Sequence, residues 1–485
     1  MRYSAQRYGT WEWLDLEVPF DTDGPEWALS TYGIMYATVA PDMGLQKAAD
    51  GRPVLEEWGT LIHAETGEGA LSRRWTGIVV RSELQGKNWE VTIREFPGYL
   101  DGTPIETTIW GVKADPAALY RKIWTDVQKM PNANLNVTVN GSTPLRIGTD
   151  SDDKAAAAKK LMDADKKVVD AKNKVKKKAT DEQQALSKSQ GKETDAQRKA
   201  ITAAQNEVNR LTKAGASKQA IADARSLVTY RQNVLKDIQA RHKPLMDAKK
   251  AANEAATKAK ETADKAYEKT REAYEKARDK ANEDGGAYKF LSEDTPDALD
   301  SIDTLCKDTE MEWTTQTKYS NGAPNLHINL SYPAAGTRRD DLVFEQGVNI
   351  ISELRLVRDG EEYANASLGI GAGEGDKSIR ASIASKSKRM RRVTVFDDRK
   401  LKKETQLLAS MRKDLRKRTG DLYVPEIEVV THELAPLFSW NVGDHITISG
   451  NVPHYGYYSK LHRIISWQMV GDTRAILRLE LSTTN

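Results

Sequence analysis

Apolar residues recur at alternating steps of three and four between Asp153 and Glu283. Leu161, Ala164, Val168, Ala171 and Val175 open the series, and Ile201, Ala204, Val208 and Leu211 resume it. After an AGAS break it restarts at Ile221, Ala224 and Val228, then passes Leu235, Ile238 and Leu245. Alanines 252, 256, 259, 263, 266, 273 and 277 carry it to the end. Such spacing is a heptad seam, set among Ala, Lys, Glu and Gln, which favour helix. Gly215 lies near the middle, so Lys213, Gly215 and Ser217 are expected to form the turn of an antiparallel hairpin, with Ser217 as N-cap of the second arm. At ~1.5 Å per residue each arm would reach ~90 Å. SQGKE at 189–193 is a candidate break in the first arm, and Pro244 a candidate kink in the second. The seam is expected at Leu161, Val168, Val175, Ile201, Val208, Leu211, Ile221, Val228, Leu235 and Ile238. Because it is rich in Ala it buries little area per residue, which favours oligomerisation over a lone solvated arm.

On either side of this segment the apolar period changes to two. WEWLDLEVPF, WALSTYGIMYATVA, WGTLIHAE, RRWTGIVVRSELQ and NWEVTIREF read as short strands, with a hairpin at Gln85–Asn88. DPAALYRKIWTDVQ (115–128) reads as a helix with Asp115 as N-cap and Pro116 at the first position. NLNVTVNG follows as a strand. TPDALDSIDTLCKDTEMEWTTQT repeats helix then strand, and NLHINLSYP adds one more. In the last third, residues 342–373 read as strands with a hairpin at Asp359–Gly360, RRVTVFDD as a strand, and 398–420 as an amphipathic helix. EIEVVTHEL, GDHITISG, YYSKLHRIISWQMV and RAILRLELS complete the set. The expected domains are 1–104 (β-barrel-like), 105–150 joined to 286–335 (α+β), 151–285 (the inserted hairpin) and 336–485 (a second β-barrel-like domain containing helix 398–420).

Charge sharpens these boundaries. Of 73 basic and 70 acidic residues, 32 and 22 lie in 151–285, leaving the remainder net acidic. All eleven Trp lie outside that segment. Lys alternates with Asp and Glu along the arms, as on a solvated face rather than a nucleic-acid stripe. The first ~25 residues lack the apolar core of a secretory signal, and no run approaches the ~18 apolar residues of a membrane span. Cys306 is the only cysteine, which excludes an internal disulfide.

Catalytic chemistry is not evident. GIGAGEG (369–375) lacks the Lys-Ser/Thr and helix of a phosphate loop and reads as a loop or strand connection. The seven histidines show no helical i, i+4 pair of the zinc hydrolases. His454 and His462 flank YGYY, read as surface or interface packing, and Cys306 reads as a buried small apolar group. Carboxylate pairs for glycoside hydrolysis depend on the fold and stay open. No cofactor, metal or catalytic residue is assigned.

WTGIVVRSELQGKNWEVTIREFPGYL (75–100), DPAALYRKIWTDVQ (115–128), LVFEQGVNIISELRLVRDGEEYANASLGIGAGEG (342–375), DRKLKKETQLLASMRKDLRKR (398–418) and WNVGDHITIS with HRIISWQMV (440–470) stand in an order that resembles the tail tip hub proteins of long-tailed phages. These are also called baseplate hub or tail-associated proteins, and the likeness is to the minor tail proteins of actinobacterial phages in particular. The resemblance implies an α+β fold with two β-barrel-like tube-type domains and a small α+β domain; the long antiparallel coiled-coil hairpin inserted in it is read from the heptads alone. It implies a homotrimeric structural virion protein, not an enzyme, at the distal end of the tail and synthesised in the host cytoplasm. Its implied partners are further copies of itself, the distal tail protein ring, the tape-measure protein, other tail tip or receptor-binding proteins and, transiently, phage DNA. Some relatives carry C-terminal peptidoglycan-cleaving or receptor-binding domains, and no such extension is expected here. The hairpin departs from the family pattern. A tail-associated cell-wall hydrolase and a cytoplasmic coiled-coil scaffold are the alternative readings.

Overall fold

The computed structural model describes all residues except 68, 321–322, 359, 373–377, 399–400, 402–403, 419 and 483–485. It divides into two compact units, Met1–Asp150 with Asp284–Asn485, and Ser151–Glu283.

The first unit opens with strands β1 (Arg2–Arg7), β2 (Trp13–Asp15), β3 (Glu26–Ala28) and β4 (Ile34–Val39), then a single helical turn, α1 (Pro41–Gly44). β5 (Thr60–Thr66), β6 (Arg73–Gln85), β7 (Asn88–Glu95), β8 (Ile109–Gly111), helix α2 (Pro116–Gln128) and β9 (Val137–Asn140) follow. The two long helices of the second unit are α3 (Ser151–Lys213) and α4 (Lys218–Asp284). Beyond them come β10 (Tyr288–Phe290), α5 (Ala298–Thr309), β11 (Glu312–Ser320), β12 (Ala323–Ser331), β13 (Phe344–Glu345), β14 (Ala366–Ile370), β15 (Arg380–Ala384) and β16 (Val393–Asp397). The chain ends with α6 (Glu404–Lys417), β17 (Glu426–Val430), β18 (His445–Val452), β19 (Gly456–Val470) and β20 (Arg474–Leu481).

Two open six-stranded sheets dominate. The first has the order β2-β1-β5-β6-β7-β4, and the second β13-β18-β19-β20-β17 with β3 paired to β19. Neither strand order closes on itself, so two β-barrel-like domains are not seen among the described residues, only two open sheets. Their inner faces belong to one apolar core that spans residues of both, including Met35, Val79 and Ile93 from the first and Phe344, Ile448 and Leu477 from the second. β3 crosses from the first third of the chain to the second sheet, where Trp27 lies opposite Trp467. The two rings stack at 4.1 Å. A stacked pair contributes ~0.5–1.5 kcal/mol beyond its burial. A second core joins α2 and α5 to the sheet β11-β12-β9, with Trp124 and Trp313 fully buried. α2 starts as its sequence dictates: the Asp115 carboxylate accepts the Ala117 amide and Pro116 occupies the first turn.

Several elements differ from expectation. β1 lies ahead of the first strand expected, and Gly9, at φ +88°, turns it back into β2. Among the described residues of 342–365 the one strand is β13, and just after it Asn349 closes a tight turn: its Oδ1 accepts the Glu345 amide and its Nδ2 donates to the Val343 carbonyl. The hairpin expected at Asp359–Gly360 has its first residue outside the described residues, as do Gly373–Gly375 of GIGAGEG; Gly369 and Ile370 belong to β14. The helix expected over 398–420 is described as Glu404–Lys417. His462 and Tyr458 are buried rather than at the surface. The Tyr458 hydroxyl and the Val424 amide both meet His462 Nε2, at 3.1 Å each.

Within the second unit, α3 passes through 189–193 without a break and α4 passes through Pro244. Gly191 costs a helix only ~1 kcal/mol, and Gln197, six residues on, is buried and donates to the Arg231 carbonyl of the other arm at 2.9 Å.

Candidate assembly site

Two features of the first unit could carry function, and both are built from strands. The four strands β4 to β7 lie in the spatial order β5-β6-β7-β4, all antiparallel. The four strands β17 to β20 lie in the order β18-β19-β20-β17, again all antiparallel. In each set the second strand of the meander is the long one and carries a bulge, between Val79 and Arg81 in β6 and between Ile464 and Ser466 in β19. A bulge bends and twists its strand, so equivalent bulges curl the two sheets alike. Each sheet is also bridged once from the segment after its far edge strand: Asp21 pairs with Thr38 of β4, and Ile350 with Val429 of β17. The sheets differ where β5 is flanked by antiparallel β1, whereas β18 is flanked by parallel β13. The unit therefore contains one Greek-key motif twice.

The second feature is a cationic loop between β15 and β16. Lys386, Lys388, Arg389, Arg391 and Arg392 are all exposed, and so is Met390. Asn365, buried at the head of β14, organises it. Its Nδ2 donates to the Met390 carbonyl at 3.1 Å, its Oδ1 accepts the Arg392 amide at 2.8 Å, and its backbone bonds both Ser385 and Arg392. The Arg389 guanidinium lies over the Tyr363 ring at 4.7 Å. The loop thus holds several like charges close together on a frame of backbone and Asn365 hydrogen bonds.

Titratable groups in this unit are mostly structural. Cys306 is buried, and burial first, then Asp303 and Glu312, push its thiol up to about 12, so it is not a nucleophile at neutral pH. Burial holds His63 at about 3 and His462 at about 4, both neutral. Glu95 is pushed up to about 7 by burial, against hydrogen bonds from Thr315 and the Gly33 amide. A 1060 Å³ cleft is lined by Asp303, Cys306, Glu310 and Glu312 on one side and Lys413 and Lys417 on the other. Lys413 spans it to Glu310 at 2.8 Å. Glu312 is held below the usual carboxylate range: burial would raise it, but the Arg463 guanidinium outweighs that. Among the described residues no group of three His, Cys, Asp or Glu is placed to hold a metal ion. No described helix is long and apolar enough to cross a membrane.

In the hairpin unit, Gly215 has φ +65° and the Ala216 amide bonds back to the Leu211 carbonyl, a left-handed helix stop. Ser217 Oγ accepts the Ala220 amide at 3.2 Å, and Lys213 is the last residue of α3. Val208, Val228 and Ile238 are buried between the arms, with Ile201, Leu211, Ile221 and Leu235 half-buried beside them. Leu161, Val168 and Val175 are not in that seam; they are 63%, 47% and 55% exposed. The seam there runs instead through Met162, Val169 and Lys176. Counting back in sevens from buried Ala204 lands on Gln197, Gln190, Gln183, Lys176, Val169 and Met162, all buried or half-buried, so this line of the helix stays inward along the arm. Leu161–Met162 and Val168–Val169 are apolar doublets, and the register selects the second member of each. At mid-arm the seam is hydrogen-bonded: Asn253 Nδ2 donates to Gln183 Oε1 at 2.7 Å, and Thr180 donates to Asn253 at 3.1 Å.

No protein-family model matches the chain, and no curated protein does. Among solved structures, the 43 kDa tail protein of prophage MuSo2 from Shewanella oneidensis aligns over 99% of this chain and 98% of its own, at 8% identity and a TM-score of 0.47.

Proposed function

We propose that the chain is a structural protein of a phage tail, the trimeric hub that closes the distal end of the tail tube. The supporting observation is the doubled Greek-key motif. One subunit that carries the same curled module twice supplies two near-equivalent positions, so three subunits supply six. That number fits a hub between a sixfold tube or distal tail ring and a threefold tip. In this reading the modules form the ring and hold the end of the tape-measure protein, and their separation opens the path for DNA. In this reading the work is assembly and gating, without a chemical step.

The test is imaging of the purified full chain, alone and mixed with tail tubes that lack their tip. The expected result is a threefold ring with six similar lobes seated on tube ends. A chain that stays monomeric and leaves tube ends bare would overturn the reading. So would a cleared zone on a peptidoglycan zymogram, which would favour a tail-associated hydrolase.

A further inference from the structure

The exposed residues Leu161, Val168 and Val175 are spaced by sevens, each one position before a residue of the seam that joins α3 to α4. α4 carries the counterpart. Ala259, Ala266 and Ala273 also recur by sevens, and each precedes a seam position, Lys260, Tyr267 or Tyr274. In two antiparallel helices, positions one step before the inward ones lie on the same side of the pair. The cross-arm hydrogen bonds of Asp165 with Thr270 and of Thr180 with Asn253, both 3.1 Å, set the level. They place Leu161 beside Ala273, Val168 beside Ala266 and Val175 beside Ala259. One side of the hairpin therefore presents three large–small apolar pairs over ~21 Å. The other side, four positions on from the inward ones, presents Lys159, Lys166 and Asn173 with Asp264, Arg271 and Arg278.

We infer that this strip is a second coiled-coil seam, and that its occupant is the same strip on another copy of this chain. Three things favour a second copy. A strict seven-residue repeat is matched only by a helix that runs alongside and supercoils with it. The strip adjoins the established α3–α4 interface, so a further hairpin extends an existing bundle rather than founding a new one. The strip is also self-complementary. A rotation about an axis parallel to the arms brings the α3 of one copy against the α4 of the next at equal height, so that Leu161, Val168 and Val175 meet alanines. The polar opposite side leaves one direction for packing. This inference stands apart from the tail assignment and does not need it.

The test uses the full chain with Cys306→Ala, so that one introduced cysteine is the only thiol. Val168→Cys treated with a short bis-maleimide should give covalently linked chains, and Lys166→Cys, on the other side, should not. Adding Leu161→Lys and Val175→Lys to Val168→Cys should weaken association at least about tenfold and abolish the linkage, with helicity by circular dichroism unchanged. Equal linkage at both positions, or none at either, would overturn the inference. So would loss of helicity in the lysine variant, because these side chains would then be packed within one hairpin. Linked hairpins in a protein that never caps a tube would keep this inference and remove the tail reading.

Discussion

Glu95 ends β7 with its carboxyl 2% exposed, between the Thr315 hydroxyl and the Gly33 amide. Burial holds its folded pKa at about 7, above the 4.5 of the free side chain. The folded state therefore binds more protons than the unfolded one between those values. By linkage its contribution is fully present below pH 4.5 and is lost as pH rises through about 7. The loss amounts to about 3 kcal/mol. Neutral, buried His63 and His462 act in the opposite direction, costing stability as pH falls below 6.5. The Glu95 effect is therefore read as a difference: Glu95→Gln should flatten the fall in stability between pH 5 and 8 relative to the parent. Denaturant melts at each pH measure this, and parallel curves would refute it. The anomaly is visible in the sequence, since the strand period puts Glu95 on the face of Val91 and Ile93. What covers that face, Thr315 of β11, lies 220 residues away and has no local signal.

Among elements, the hairpin was the most legible because its rules are local. Seven-residue spacing identifies helix, and Gly215 with Ser217 identifies the turn. The register of the near-base half was not legible, because Leu161–Met162 and Val168–Val169 each offer two candidates separated by ~100° of rotation. Only the register propagated from Ala204 chooses between them. The turn gives a test. Nothing lies within 4 Å of a Cβ placed at Gly215, so a side chain meets only its own backbone strain at φ +65°. Gly215→Val should cost about 1–2 kcal/mol, confined to the tip. Hydrogen exchange should quicken at Leu211–Ala220 and stay unchanged at Met162–Val169. Ser217→Ala should produce a similar loosening of ~1 kcal/mol. Most strands stand where their period of two put them, and the misses have a different cause. β1 and the stretch 342–365 depend on partners elsewhere in the chain, and the doubled Greek key is defined by pairings rather than by repeated residues.

At the scale of the molecule, the two units differ in what holds them. The first rests on two apolar cores, one holding Trp27, Trp75, Trp440 and Trp467 between the two sheets and the other Trp124 and Trp313. The second rests on alanines and cross-arm hydrogen bonds. Its ends leave the first unit at neighbouring points. The Thr149 amide donates to the Gly286 carbonyl at 2.7 Å, and the Thr149 hydroxyl to Asp284 at 2.8 Å. Excising Ser151–Glu283 and closing the gap with two glycines therefore replaces a long excursion by a short loop between points already bonded. Closing a shorter loop costs less entropy, by ~0.6 kcal/mol per halving of length. The excised protein should unfold at or slightly above the temperature of the first unit in the full chain. Its near-ultraviolet tryptophan signal should be intact, since all eleven Trp lie outside the deleted segment. In the full chain the helical signal at 222 nm and the tryptophan signal should melt in separate transitions, and only the second should survive excision. A single shared transition, or a molten tryptophan signal after excision, would mean that the hairpin is part of what folds the sheets. The assembly reading would then have to treat the arms as structural members of the ring rather than as an insertion that links one copy to the next.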